Sequence, residues 1–143
     1  MSAAGVVYDN VALIDSCAVI ALFDQGEQFH EEAKRFLDEQ QPLTWAAVDV
    51  TSHEVFTRIR YKDSIPRALE HFDFLRAGNI KLLAFTPEDE VEARAIIEKY
   101  SDHRLSFHDA LCAAIMMRVG IYKIFTFDRD FWIMGFQVVP GKV

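Results

Sequence analysis

The sequence predicts an α/β fold, a three-layer α/β/α sandwich around a mostly parallel central sheet, from two observations. Short, nearly continuous apolar runs of strand length alternate with longer segments of helical period. The runs are apolar throughout rather than at every second residue, as expected of strands covered by helices on both faces. Strand–helix–strand connections are right-handed crossovers, which makes neighbouring strands parallel. A chain of 143 residues with 51% hydrophobic content and 12 Phe can bury a core without staples, so residues 1–143 are expected to form a single domain.

The elements follow in order. VALID (11–15) is a first strand and AVIALF (18–23) a short helix. Phe29, Ala33, Phe36 and Leu37 share one helical face, and that helix ends before Pro42. LTWAA (43–47) is the second strand, followed by a helix from about Asp49 to Tyr61. The next helix starts at Pro66, where a first-turn proline is favourable, with Ser64 as its cap and Gly78 as its stop. IKLLAF (80–85) is the third strand, and Thr86, Pro87, Glu88 and Asp89 open a helix reaching about Tyr100. Ser106 opens a helix that is apolar almost all round through Met117, and Gly120 closes it before the fourth strand, YKIFTF (122–127). FQVV (136–139) is a last edge strand.

Composition narrows the function classes. Cys17 and Cys112 lie in apolar segments with no C-x-x-C or zinc-type spacing, which points to reduced core thiols in a cytoplasmic protein. No cationic segment precedes an apolar run at the N-terminus and no stretch approaches 18 apolar residues, so neither export nor membrane insertion is expected. The net charge of −7 disfavours broad duplex binding. It leaves room for a local basic track, and TRIRYKDSIPR supplies Arg58, Arg60, Lys62 and Arg67.

The acids carry the chemistry. Asp15 ends the first strand, Asp128 the fourth, Asp109 lies in the first turn of the helix feeding that fourth strand, and Glu54 lies one turn into the helix after the second. Ligands of open parallel sheets bind outside the carboxyl ends of the strands, so these four converge if strands one and four are neighbours. Each also has a plainer reading: Asp15 as a helix cap, Asp109 closing a capping box with Ser106, Glu54 as a solvated helix residue, Asp128 and Asp130 as turn formers. Against the plainer reading stands electrostatic cost. Two like charges about 4 Å apart repel by roughly 4 kcal/mol at an effective dielectric of 20, and a divalent cation offsets it. Oxygen donors favour Mg²⁺ or Mn²⁺ over Zn²⁺.

LIDSCAVIALFD, TSHEVFTRIR, LSFHDALCAAIMM and IFTFDRDF resemble, in order and spacing, the signature segments of the PIN domain, especially the stand-alone VapC-type toxins of toxin–antitoxin pairs. The resemblance spans Val11 to Val139. It implies an α/β sandwich and an Mg²⁺- or Mn²⁺-dependent ribonuclease acting on RNA. By it Asp15, Glu54, Asp109 and Asp128 are the catalytic, metal-holding acids, with Ser16 and Asp130 in support. Cys17 and His108 stand where small or hydroxyl residues are more usual, a departure that bears on metal choice. His108, in a helix first turn, is read as capping or facing solvent, and His53 is discounted in the same way.

The implied reaction is hydrolysis of a phosphodiester by metal-activated water, with Arg58, Arg60 and Arg129 guiding the RNA backbone. The resemblance further implies an antitoxin protein in a groove near the site, and a homodimer, for which Phe131, Trp132 and Met134 are interface or core. Two other classes stand beside it: an Mg²⁺-dependent phosphoryl-transfer enzyme on a small phosphate ester, and a catalytically silent PIN-like interaction module. A member of the first class that uses a covalent aspartyl-phosphate would show a D-x-D pair after its first strand, where this chain has DSC. The second would gain by losing clustered acids.

Overall fold

The computed structural model describes residues 8–39 and 44–141. In chain order the elements are β1 (Tyr8–Ile14), α1 (Ser16–Phe23), α2 (His30–Glu39), β2 (Thr44–Val48), α3 (Asp49–Lys62), α4 (Ile65–Leu75), β3 (Ile80–Leu83), α5 (Pro87–Lys99), α6 (Phe107–Val119), β4 (Ile121–Phe125), α7 (Asp130–Ile133) and β5 (Gln137–Val139). The predicted stop at Pro42 and the start of the second strand at Leu43 lie outside the described residues.

The five strands form one sheet in the order β3-β2-β1-β4-β5, and every neighbouring pair is parallel. The first crossovers run outward from β1 through β2 to β3. The chain then returns across α5 and α6 to lay β4 on the other side of β1. The order in which strands are added therefore reverses between β1 and β4, the switch point at which open α/β sheets leave a crevice.

Alternation along the central strands divides the core in two. Ala12 and Ile14 of β1, Trp45 and Ala47 of β2 and Phe125 of β4 join Val19, Ala33, Val55 and Leu75 on the face covered by α1 to α4. Leu13, Ala46, Val48 and Ile124 face the opposite way, against Ala93 and Ile96 of α5 and the buried length of α6 from Ala110 to Met116. Period-two alternation sends successive side chains to opposite layers, so strands buried on both sides read as unbroken apolar runs. Helix α6 is apolar nearly all round for the same reason. Phe131 of the short α7 is fully buried in this layer with Met134 packed beside it, while Trp132 is half exposed.

Several helix ends differ from the sequence expectation. Helix α1 begins at Ser16 rather than Ala18, with Asp15 in the N-cap position but making no side-chain cap. Helix α4 begins at Ile65 with Ser64 accepting from the Arg67 amide, and ends at Leu75 instead of running to Gly78. Gly78 sits in the following turn at φ +88. The third strand stops at Leu83, and the fourth runs from Ile121 to Phe125. Gly120 does close α6 in the left-handed conformation, as expected. The one-turn helix α7 has no counterpart in the sequence reading, because a single turn carries too few residues to show a period.

Candidate functional site

The strand order brings Asp15 and Asp128 to adjacent positions at the carboxyl end of the sheet. The backbone ties them: the Asp15 amide donates to the Phe125 carbonyl at 3.0 Å, extending the β1–β4 ladder by one rung. At that point both strands end and α1 departs.

Asp15 is the most deeply placed acid, its side chain 3% exposed. The Thr126 hydroxyl donates to its Oδ2 at 2.8 Å and the Cys17 thiol does so at 3.3 Å. Its Oδ1 is buried without a hydrogen-bond partner. Because these bonds take the carboxylate toward β4, it does not cap α1, and the plainer reading of Asp15 as an ordinary N-cap fails. Burial raises its carboxyl above the ordinary range; His108 opposes and Asp109 adds to the rise, while Thr126 and Cys17 lower it.

His108 occupies the middle of the pocket. Its Nδ1 lies 3.2 Å from Glu54 Oε2, 3.8 Å from Asp109 Oδ1 and 4.0 Å from Asp15 Oδ1, yet none of these contacts has hydrogen-bond geometry. Its Nε2 is 2.8 Å from the fully buried Thr51 hydroxyl and 3.7 Å from Cys112 Sγ. The expectation that His108 caps or faces solvent is therefore corrected: its side chain is only 8% exposed and points inward. Burial works against its protonation, but Asp109, Cys112 and Asp15 outweigh that and its pKa is pushed up to about 11. Three carboxylates thus surround its Nδ1 within 4.0 Å.

Asp109 has two roles that had been set against each other. It completes a capping box with Ser106, and the same carboxylate faces His108. Burial tends to raise its pKa, but His108 and the Ser106 bonds hold it below the ordinary range. Asp128, half buried, is raised chiefly by burial, with the Asp130 amide lowering it and Asp109, Asp130 and Asp15 adding repulsion. Asp130 turns away: its amide donates to Asp128 Oδ1 at 2.9 Å, while its own carboxylate lies 3.5 Å from His103 Nδ1. Ser16 is buried at the start of α1.

The basic track is partly consumed by structure. Lys62 pairs with Asp24 and Glu27, and Arg67 reaches the Phe23 carbonyl. Arg58 is exposed and lines a cavity of about 230 Å³ with Cys17, Phe29, Phe127 and Asp128. It shares the α3 face of Glu54 four residues earlier, whereas Arg60, two residues on, lies on another face. Arg129 lines a larger groove of about 1040 Å³ that also borders Asp128. His53 is exposed, its ring 6.2 Å from that of Phe72, away from the acids.

Thr126 and Thr51 were not singled out by sequence, and Cys112 was read only as a core thiol. Thr126 was readable only as a β-branched strand residue, yet its fully buried hydroxyl donates to Asp15 and accepts from the Asp128 amide at 3.1 Å. It sets the spacing between two acids from different strands. Thr126→Val, close in shape, is expected to lower divalent-ion affinity about 10- to 100-fold, as loss of an outer hydrogen bond to a ligand does. Titration calorimetry with Mn²⁺ reads this directly, and an unchanged affinity would deny Thr126 the positioning role.

Residues 12–136 match the PIN domain. The chain belongs to the PIN domain family. The fold of this PIN domain is similar to that of the VapC20 toxin of Mycobacterium tuberculosis, described as cleaving the sarcin–ricin loop, with TM-score 0.81, 22% identity and coverage of 88% of this chain and 95% of that one. A toxin–antitoxin complex from Klebsiella pneumoniae gives TM-score 0.66 at 21% identity over 92% and 99% of the two chains. VapBC2 of Rickettsia felis, bound to a DNA fragment from its promoter, gives 0.61 at 11% identity over 90% and 96%. No curated protein matches the PIN chain by sequence.

The pocket of this PIN domain suits a divalent cation. Asp15 Oδ1 is buried without a hydrogen-bond partner, and Asp15, Glu54 and Asp109 converge on His108 Nδ1 within 4.0 Å, while among the described residues the donor atoms that lie within 4.8 Å of one another are those of Asp15, His108 and Cys112 rather than of the four acids.

Proposed function

We propose that this PIN domain is a divalent-metal-dependent ribonuclease of the VapC type, the toxin of a toxin–antitoxin pair working in the cytoplasm. The observation that carries the reading is the unpartnered Oδ1 of buried Asp15 at the switch point of the sheet, with Glu54 and Asp109 sharing its neighbour His108 and Asp128 following the adjoining strand. Family membership and the likeness in fold to VapC-type toxins support it. Asp15, Glu54, Asp109 and Asp128 would hold Mg²⁺ or Mn²⁺. When bound, such an ion polarises a phosphoryl oxygen and lowers the pKa of its water toward neutrality.

The chain's own residues do the rest. Thr126 orients Asp15 and, through the Asp128 amide, sets the second strand end. Asp130 would support the site through its backbone amide, which donates to Asp128 Oδ1. Arg58 and Arg129 line two adjoining cavities that both border Asp128, and there they would receive phosphates of the RNA backbone. Phosphate contacts of this kind position a strand without reading its bases. The larger groove beside Asp128, walled by Phe29, Phe127, Val139 and Pro140 and carrying Arg35 and Arg129, is where an antitoxin segment would lie. Among the described residues no helix is long and apolar enough to cross a membrane.

The test is cleavage of a mixed RNA pool by purified protein with and without Mg²⁺ or Mn²⁺. Cleavage is expected with either ion and is expected to stop on chelation. Cleavage that survives chelation, or none with any RNA together with no binding of either ion, would overturn the reading.

A further inference from the structure

The inner wall of the carboxylate pocket carries donors that oxygen-seeking cations do not use. One oxygen of Asp15, one ring nitrogen of His108 and the Cys112 sulfur all lie within 4.8 Å of one another. Asp15 and His108 side chains are 3% and 8% exposed. Asp15 Oδ1 and His108 Nδ1 both lack hydrogen-bond partners and lie 4.0 Å apart. Each such orphan is costly to bury unless something takes it. His108 Nε2 is meanwhile held by Thr51 at 2.8 Å, the outer bond that metal-ligating histidines ordinarily make and that leaves the other nitrogen open. Glu54 Oε2, 3.2 Å from that open nitrogen, adds a donor on the solvent side.

We infer that Asp15, His108 and Cys112 form a site for a borderline transition-metal dication of the Zn²⁺ class, overlapping the Mg²⁺ or Mn²⁺ centre through the shared Asp15. Imidazole and thiolate select such ions over Mg²⁺. Nitrogen and oxygen donors at about 2.0–2.1 Å from one tetrahedral ion stand roughly 3.4 Å from each other, so Asp15 Oδ1 and His108 Nδ1, 4.0 Å apart, close by several tenths of an ångström on binding, and Cys112 Sγ, 3.7 Å from the other ring nitrogen, swings toward them. Binding forms metal–ligand bonds, releases the protons on the Cys112 thiol and on His108 to solvent, and oxidises nothing. Because Asp15 serves both ions, they exclude each other, and zinc restrains RNA cleavage. That consequence rests on the function proposed above; the site itself does not.

The test uses Co²⁺, a spectroscopic stand-in for Zn²⁺, added to the purified full chain. One equivalent is expected to give the intense visible bands of four-coordinate cobalt and a near-ultraviolet sulfur-to-cobalt charge-transfer band, both removed by Zn²⁺. Cys112→Ser is expected to lose the charge-transfer band, and His108→Gln to bind at least about tenfold more weakly. Cys112→Ala serves if the serine variant unfolds, with circular dichroism as the control. Weak octahedral absorption in the native protein, unaltered by either substitution, or no cobalt binding, would overturn the site. Zinc is expected to cut Mg²⁺-dependent cleavage at least tenfold, and undiminished cleavage at saturating zinc would overturn the shared Asp15. Failure of all RNA cleavage beside a normal cobalt spectrum would sink the ribonuclease reading and leave this site standing.

Discussion

Asp15→Asn is expected to reduce metal-dependent RNA cleavage by more than about 100-fold while leaving the metal-free protein at least as stable as the native one. Outer partners of metal ligands are worth about 10- to 100-fold, and Asp15 is proposed to be a ligand itself. Stability moves the other way. Burial raises the Asp15 carboxyl most, His108 opposes and Asp109 adds, while the Thr126 and Cys17 bonds lower it, with a net rise. An acid whose folded pKa exceeds its unfolded value of about 3.9 costs stability at neutral pH, and the cost fades as pH falls through the folded pKa. The amide keeps an acceptor for Thr126 and removes the charge.

Thermal melting without metal should therefore give an unchanged or higher midpoint for Asp15→Asn at neutral pH, with the difference shrinking in acid. Adding Mg²⁺ at 100 times its Kd stabilises a binding protein by about 2.7 kcal/mol. The native midpoint should rise accordingly and that of the variant should stay where it was. A variant that melts lower without metal, or still responds to Mg²⁺, would remove Asp15 from the centre of the site.

Asp109→Asn should lose cleavage to a similar degree but weaken the fold. Burial is the largest influence on Asp109 and tends to raise it, yet His108 and the two Ser106 bonds leave it below the ordinary range. An acid with a lowered folded pKa contributes stability above its unfolded value of about 3.9, lost as pH falls through the folded pKa. The amide still accepts from the Ser106 backbone but no longer complements the helix dipole or His108. A loss of about 1 kcal/mol is expected, roughly 3 °C in melting midpoint. Melts of both variants across pH 3 to 8 would show opposite signs near neutrality and convergence in acid. Equal signs at neutral pH would mean that the two carboxylates share one environment.

The contrast between the two acids explains what sequence could and could not show about the site. Both were named as candidates with a helix-capping reading beside the functional one. Asp109 is a cap that also faces His108, since a capping-box carboxylate uses one oxygen on the backbone and leaves the other to the pocket. Asp15 is a cap by position only, and nothing local distinguishes it: its bond to Thr126 crosses from one strand to another. His108 was discounted because a first-turn histidine ordinarily meets solvent. It faces inward because it shares a face of α6 with the fully buried Cys112 one turn on, although Phe107 beside it is exposed.

The sequence by itself determined the order and type of most elements and the placement of acids at strand ends. These depend on short-range physics: apolar period, the proline and hydroxyl that open α4, the capping residues of α5 and α6, and the glycine that closes α6. Tertiary structure alone decided which strands are neighbours. Strand order β3-β2-β1-β4-β5 sets β4 against β1, and only that pairing makes Asp128, Thr126 and Asp15 one group. It also decided that His108 and Cys112 stand beside Asp15, adding nitrogen and sulfur to a pocket that sequence presented as oxygen alone. Side-chain direction and lateral strand pairing follow from long-range packing of both core layers, and residues distant along the chain carry no local mark of it.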